Sequence, residues 1–415
     1  MAFHYPPEAS SSGVLRTLKY SRYLNDFGWR VTVISPQEDA YEVVDQELVR
    51  QIPSTTRVIR TNYLNTKRHL SFRGIHPALF ALPDRWVGWL PWGVAAGKDL
   101  FRKDPYQLIY STSPHATAHL IAWRLARATG LRWVSDFRDP WVEDPPEPGA
   151  PAGFVYTRLN TWLERQVIMR SDKVIASTGE LRDLLRERYA QQPAEKFQAI
   201  LNGYDEADFE GLPTPHQTSG NCMVILHAGS INASFRDPRP LLRALARAAA
   251  LGTIDLSKIR IRFLGGGAFS ESAELRSTVS QLKLTEVVEF VGRVPYSEAL
   301  MALAEADLLL LLQASPDTTG LVPAKLYEYL RSGKPVLALV HKGATGEVLR
   351  ETGGGWSVEP GDEADLSRAL HDAYDAWRAG NLGKTAANAA VLRRFERKAL
   401  TRELAEVFDN LVSAP

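Results

Sequence analysis

The run DLLLLLQ, residues 307–313, constrains this chain most: five consecutive leucines stand between an Asp and a Gln. It is too short for a stable buried helix, and no alternation leaves a face for water. It therefore reads as a strand covered on both sides, as in a parallel sheet. Runs of the same kind precede and follow it: CMVILHAGS (222–230), IRIRFLGGG (259–267), VVEFVGR (287–293) and PVLALV (335–340). Helical patterns lie between them at 236–251, 270–283 and 295–306. The first half repeats the scheme with strands at 29–35, 107–113, 132–137, 173–178 and 197–203. Its helical patterns fall at 13–27, 115–130, 155–170 and 179–190. Alternation of this kind predicts an α/β class, with two doubly wound, Rossmann-like parallel-sheet domains. The Pro-, Gly- and polar-rich stretch 205–221 marks the boundary. We expect domains at 1–208 and 222–390, followed by a helix within 391–415. Two such domains facing each other bind ligands at the carboxyl ends of their strands, which places the expected site in the cleft between them.

At 415 residues the chain exceeds what one core supports. A net charge of +1, without a basic stripe, gives no case for nucleic acid. The single cysteine, Cys222, excludes an intrachain disulfide framework and fits a reducing compartment. No apolar run approaches the roughly 20 residues of a membrane span, so a cytoplasmic setting is expected. MAFHYPP begins where the first strand of such a domain would be ending. Either that strand is very short, or the start is placed several residues too late.

The chemistry concentrates in VPAKLYEYLRSGKPVLAL, residues 322–339. Lys325 and Glu328 are three residues apart and share a helix face. A carboxylate there can accept both hydroxyls of a ribose, and the amides at the helix start suit an anion such as a diphosphate. An amphipathic helix with a merely solvated Glu gives the same string. The segment resembles the donor-binding segment of GT-B glycosyltransferases, in particular the retaining family 4, and the run SDFRDPW, residues 135–141, resembles a signature of that family's polysaccharide and lipopolysaccharide branch.

In the second domain that resemblance implies a donor site on Gly229, Arg236, Arg293, Val294, Thr319, Gly320, Leu321, Val322, Lys325 and Glu328. Gly320 stands where the family carries a first Glu, with Asp317 as a nearby substitute, and Ser230 stands where it carries an Arg. Arg236 best fits the position of the phosphate-binding Lys, because a guanidinium can clamp phosphate oxygens bidentately; Arg239 is a candidate helper. In the first domain the resemblance implies that the loop HYPPEASSSGVLR, residues 4–16, brings Gly13 to the donor and Ser12 to the acceptor; a plain turn and helix cap would look similar. Thr112 falls where many members carry a His, and His115 lies just beyond, facing either the cleft or solvent. By the same resemblance SDFRDPW, residues 135–141, contributes Asp136 and Asp139 as catalytic carboxylates, with Arg138 and Trp141 toward the acceptor. A salt-bridged loop is the alternative for that segment. Arg236 and Lys325 complete the expected catalytic set.

The segment 69–106 carries Trp86, Trp89 and Trp92 beside Arg85, Lys98, Arg102 and Lys103. It reads as core, as a sugar-stacking surface, or as a peripheral membrane contact. The resemblance as a whole implies a retaining transfer from a nucleotide-diphosphate sugar to a saccharide or lipid-linked acceptor. No metal and no cofactor other than the donor is expected. Two alternatives stay open: a nucleotide-sugar epimerase of the same fold, and a catalytically silent sugar-binding subunit.

Overall fold

The computed structural model describes residues 1–10, 13–69, 81–142, 154–212 and 221–413. The chain divides into two compact units: Met1–Asn202 with Arg397–Pro415, and Gly203–Glu396.

The second unit is a six-stranded, all-parallel sheet. Its strands are β7 (Met223–Ala228), β8 (Ile259–Leu264), β9 (Val288–Val291), β10 (Leu308–Gln313), β11 (Val336–Val340) and β12 (Gly355–Val358). They lie in the order β12-β11-β10-β7-β8-β9. Consecutive strands run outward from the centre in both directions, so the chain reverses between β7 and β10. That junction is the switch point at which doubly wound sheets open a crevice. All six residues of β10 are buried, as the leucine run demands. Helix Arg239–Ala250 covers one face with Leu241, Leu242, Leu245 and Ala248, the spacing of a single apolar stripe.

The first unit has a four-stranded parallel sheet of β3 (Leu108–Thr112), β4 (Arg132–Phe137), β5 (Lys173–Ala176) and β6 (Phe197–Ala199). A parallel pair, β1 (Thr32–Pro36) and β2 (Arg57–Thr61), stands apart. Residues 1–2 occupy the place between them. The Ala2 amide donates to Ile34 O at 3.2 Å, and the Thr112 amide donates to Met1 O at 3.2 Å. Beside this narrow bridge lies a cavity of about 130 Å³ with Val33, Ile34, Leu100, Ile109 and Phe408 in its lining. The C-terminal helix, Arg397–Ser413, belongs to this unit and buries Leu400, Leu404 and Phe408 against a cluster with Tyr20, Leu24 and Val134.

Three expectations shift. The units divide at Asn202/Gly203, ahead of the 205–221 stretch. Residues 203–208 are tied into the second unit, where the Tyr204 amide donates to Phe395 O and Glu206 pairs with Arg331. The terminal helix accordingly begins at Arg397, after short helical turns within 389–395. Two strands escape the apolar pattern because they are short edges: β2 is mostly half-exposed, and β12 has only four residues. In the aromatic segment, Trp86 and Trp89 are core at 3% and 0% exposure, whereas Trp92 is 38% exposed. The Trp89 indole donates to Thr61 Oγ1 at 2.7 Å, as a buried indole requires. Among the described residues no helix is long and apolar enough to cross a membrane.

Candidate functional site

In the second unit, polar groups gather at the switch point. β7 ends at Ala228, whose carbonyl accepts the Lys325 ammonium at 2.8 Å from the first turn of helix Ala324–Arg331. The Tyr329 hydroxyl accepts the Ala228 amide at 2.7 Å and holds the same strand end. Gly229 follows with φ 133°, and a Cβ there would fall on the Lys325 ammonium. Gly265, at the end of β8 with φ 138°, packs so closely that its Cβ would lie 2.6 Å from the Gly229 carbonyl carbon. Gly266 brings the loop after β8 against Gly292 and the amide of Arg293. The loops after three adjacent strands thus pack on one another without side chains between them, as a backbone ligand cradle needs.

Lys325 is the electrostatic centre of this cradle. Burial and the neighbouring Arg236 charge bring its pKa down to about 7, with Glu328 opposing the shift. Arg236 donates to Ser230 Oγ at 3.0 Å, and burial lowers its pKa as well. Two desolvated cations side by side are stabilised by an incoming anion. Ser230, where the family carries an Arg, thus serves as a support for Arg236. Arg239 does not join them: its guanidinium is held by Asp237 at 2.7 Å and by Glu274. Glu328 lies one turn beyond Lys325 and accepts the Tyr296 hydroxyl at 2.9 Å.

The segment from Thr319 to Val322 is fixed from behind. Gln313 donates to the carbonyls of Thr318 and Leu321 at 2.8 and 3.1 Å, and the Ala344 amide donates to Thr319 O at 2.9 Å. Gly320 and Val294 are half-buried, and Arg293 is exposed. The Asp317 side chain lies outside the described residues. Tyr296, Tyr329 and Gln313 carry no motif of their own, so sequence reasoning missed them.

The first unit gathers a second cluster at the ends of β3 and β4. Here Asp136 is corrected as a catalytic candidate. It is fully buried, and its oxygens are taken by Arg16 at 2.8 and 3.1 Å, Tyr110 at 2.7 Å and Thr112 at 2.8 Å. Burial alone would raise its pKa, but the Arg16 charge and these donors hold it below the usual carboxylate value. No room remains for an acceptor proton. Thr112, 2% exposed and spent on the same carboxylate, is corrected from the acceptor set for the same reason. Half-buried Trp141 donates its indole N–H to Asn160 at 2.9 Å.

What remains there is basic. The Arg138 guanidinium lies over Gly13, the first residue of helix Gly13–Tyr23, where any Cβ would collide with it. Burial lowers the Arg138 pKa, with half-buried Asp139 acting against that shift. His115 is pushed well below its ordinary pKa by burial, then by His4, Arg85 and Arg138. The His4 ring stacks on His115 at 5.2 Å and bonds Glu8 through Nδ1 at 2.9 Å, while its Nε2 has no partner among the described residues. This His–Glu pair was missed because the two residues sit inside a loop string that reads as a turn. Ser12 lies outside the described residues. Among the described residues, no group of three or more His, Cys, Asp or Glu side chains could hold a metal.

Two family models match the chain: a glycosyl transferase 4-like domain over residues 13–203 and glycosyl transferases group 1 over residues 223–376. The probable glycosyltransferase WbjE of Pseudomonas aeruginosa is 25% identical over 256 residues, which cover 60% of this chain and 61% of that protein. The putative colanic acid biosynthesis glycosyltransferase WcaL of Salmonella typhimurium is 30% identical over 165 residues, 37% of each chain. The chain thus spans about three-fifths of the first relative and little more than a third of the second. Anabaena Alr3699/HepE in complex with UDP-glucose is similar in fold, with a TM-score of 0.67 at 18% identity and 99% of both chains covered. WaaG, a glycosyltransferase involved in lipopolysaccharide biosynthesis, superposes with a TM-score of 0.61 at 15% identity, covering 98% of this chain and 99% of that one.

Proposed function

We propose that this chain, matched along most of its length by two glycosyltransferase family models, is a GT-B glycosyltransferase of polysaccharide type that moves a sugar from a nucleoside-diphosphate sugar to a saccharide or lipid-linked acceptor. The observation that carries this reading is the Lys325–Arg236 pair at the switch point, with Glu328 one helical turn away. The cations suit the diphosphate, and the carboxylate suits the ribose diol. The UDP and UDP-glucose complexes of the similar Alr3699/HepE support a nucleotide-sugar donor. As the bond from the anomeric carbon to the diphosphate breaks, Lys325 and Arg236 stabilise the charge that develops on the leaving oxygen. The acceptor hydroxyl attacks from the same face, and the departing phosphate oxygen takes its proton, so the configuration is retained. No protein nucleophile and no metal is required by this scheme.

Calorimetric titration with UDP, GDP and ADP tests the donor site. Glu328→Ala removes the acceptor of the ribose hydroxyls, each charge-assisted bond contributing about 1.5–3 kcal/mol. The expected result is a loss of at least tenfold in affinity for the best-bound nucleotide. An unchanged affinity in the folded variant would rule out this role for Glu328. Activity should also survive EDTA; a strict magnesium requirement would refute the charge assignment to Lys325 and Arg236. Gly320 and Ser230 favour one second reading, a sugar-binding subunit that is silent alone. It predicts nucleotide binding without hydrolysis or transfer until a partner chain is added.

A further inference from the structure

An open groove of about 410 Å³ in the first unit is not accounted for by either cluster. Its size falls within the roughly 300–1,000 Å³ of small-molecule clefts. Tyr63 and Trp86 line it together with Asp39, Glu42, Asn65 and Arg85. The two rings meet at 5.5 Å and 59°. Trp86 is 3% exposed, and its indole nitrogen has no hydrogen-bond partner among the described residues, an uncommon state for a buried donor. Arg85 and Glu42 approach only to 3.5 Å, with side chains 42% and 78% exposed, so both keep bonding capacity for a ligand. Trp86 also contacts Phe3 at 4.5 Å and His115 at 6.1 Å, which joins the groove wall to the cluster at the ends of β3 and β4.

We propose that this groove holds a sugar unit of the acceptor beyond the one that receives the new residue. The acceptor is then an oligosaccharide rather than a monosaccharide or a bare lipid carrier. The inference rests on the transferase reading above. The lining selects the ligand chemistry. The groove mixes two carboxylates, Asp39 and Glu42, with three cations, Lys67, Arg68 and Arg85, so donors and acceptors of both signs face the same ligand. A lipid chain would strip water from those carboxylates and from Lys67, Arg68 and Arg85 without replacing any hydrogen bond. A neutral polyhydroxylated ring satisfies carboxylates and guanidinium alike and lays its C–H face on an aromatic side chain.

The test uses the full chain, loaded with the best-bound nucleotide, on an array of bacterial capsular and lipopolysaccharide oligosaccharides. Tyr63→Ala and the surface substitution Arg85→Gln are compared with the native chain, and nucleotide affinity is measured in parallel. The expected result is that oligosaccharides bound by the native chain lose at least tenfold in affinity in both variants, with nucleotide binding unchanged. Binding of equal strength in the variants, or no oligosaccharide bound by a nucleotide-loaded native chain, overturns the inference and leaves the transferase reading standing. Failure of the native chain to bind any of UDP, GDP and ADP strikes that reading first. Co-sedimentation with 70:30 phosphatidylcholine–phosphatidylglycerol vesicles that both substitutions abolish, without oligosaccharide binding, assigns the groove to lipid headgroups and also overturns it.

Discussion

Arg16→Met is expected to destabilise the first unit by about 3–5 kcal/mol, because it strands the Asp136 carboxylate in the core. Arg16 is 1% exposed and Asp136 0%. The guanidinium also donates to Ile200 O and Leu201 O at 2.9 Å, so its removal leaves two carbonyls short of a donor as well. Urea unfolding of the full chain measures the effect, read on a probe specific to the first unit because two units need not unfold together. The double substitution Arg16→Met with Asp136→Leu should recover much of the loss, since the penalty is the unpaired charge rather than the missing bond. A single-variant loss under about 1 kcal/mol would refute this account. The pH dependence has a fixed sign. Asp136 is depressed below its unfolded value, so its contribution is complete above that value, 3.8, and disappears as pH falls through the folded pKa.

The second large effect concerns Lys325. Lys325→Met keeps most of the length of the side chain and removes its charge. Turnover should fall about 10²–10³-fold, as when a single preorganised donor to a developing oxyanion is deleted. Nucleotide affinity should fall less, because Arg236 and the backbone cradle remain. A variant with normal turnover and only a weakened acceptor KM would contradict the role. Lys325 titrates near 7 in the free chain, so above that pH it is mostly neutral until an anion arrives. Nucleoside-diphosphate binding at pH 8 should therefore take up close to one proton, and at pH 6 almost none. Calorimetry in buffers of different ionisation enthalpy reads this directly, and the uptake should vanish in Lys325→Met. The same shift links to stability: between about pH 7 and 10.5 the unfolded chain binds the extra proton, so the ligand-free second unit gains stability as pH rises.

Much of the architecture was legible because buried parallel strands announce themselves. The leucines of β10 and the run VLALV of β11 admit no solvent-facing side, and both emerge fully buried. Edges are harder to read. β2 has three half-exposed residues, and β12 opens with a glycine, so neither carries enough apolar surface to stand out from a loop. In the second unit the helix face shared by Lys325 and Glu328 was legible from one helical spacing. Tyr296, which orients Glu328, lies 32 residues away and meets it only through the fold. Asp136 shows the opposite failure. An Asp beside an Arg and a second Asp reads as chemistry, yet the partner that consumes it, Arg16, is 120 residues distant. Local sequence carries residue type and period; which charges neutralise each other is decided by packing.

The doubly held carbonyl of Ala228 has a consequence for how readily the second unit responds to a ligand. Lys325 and Tyr329 both donate to that oxygen, at 2.8 and 3.3 Å, from successive turns of one helix. An anion that draws the ammonium away does not leave the carbonyl stranded, because the phenol stays behind as its donor. The desolvation penalty that usually accompanies breaking a buried hydrogen bond is thus largely avoided. On the proposed function the lysine would act as a tethered, exchangeable counter-ion, with the Tyr329 phenol left to hold the strand end. A rearrangement limited to that one flexible side chain would lose little of the interaction energy to reorganising the protein.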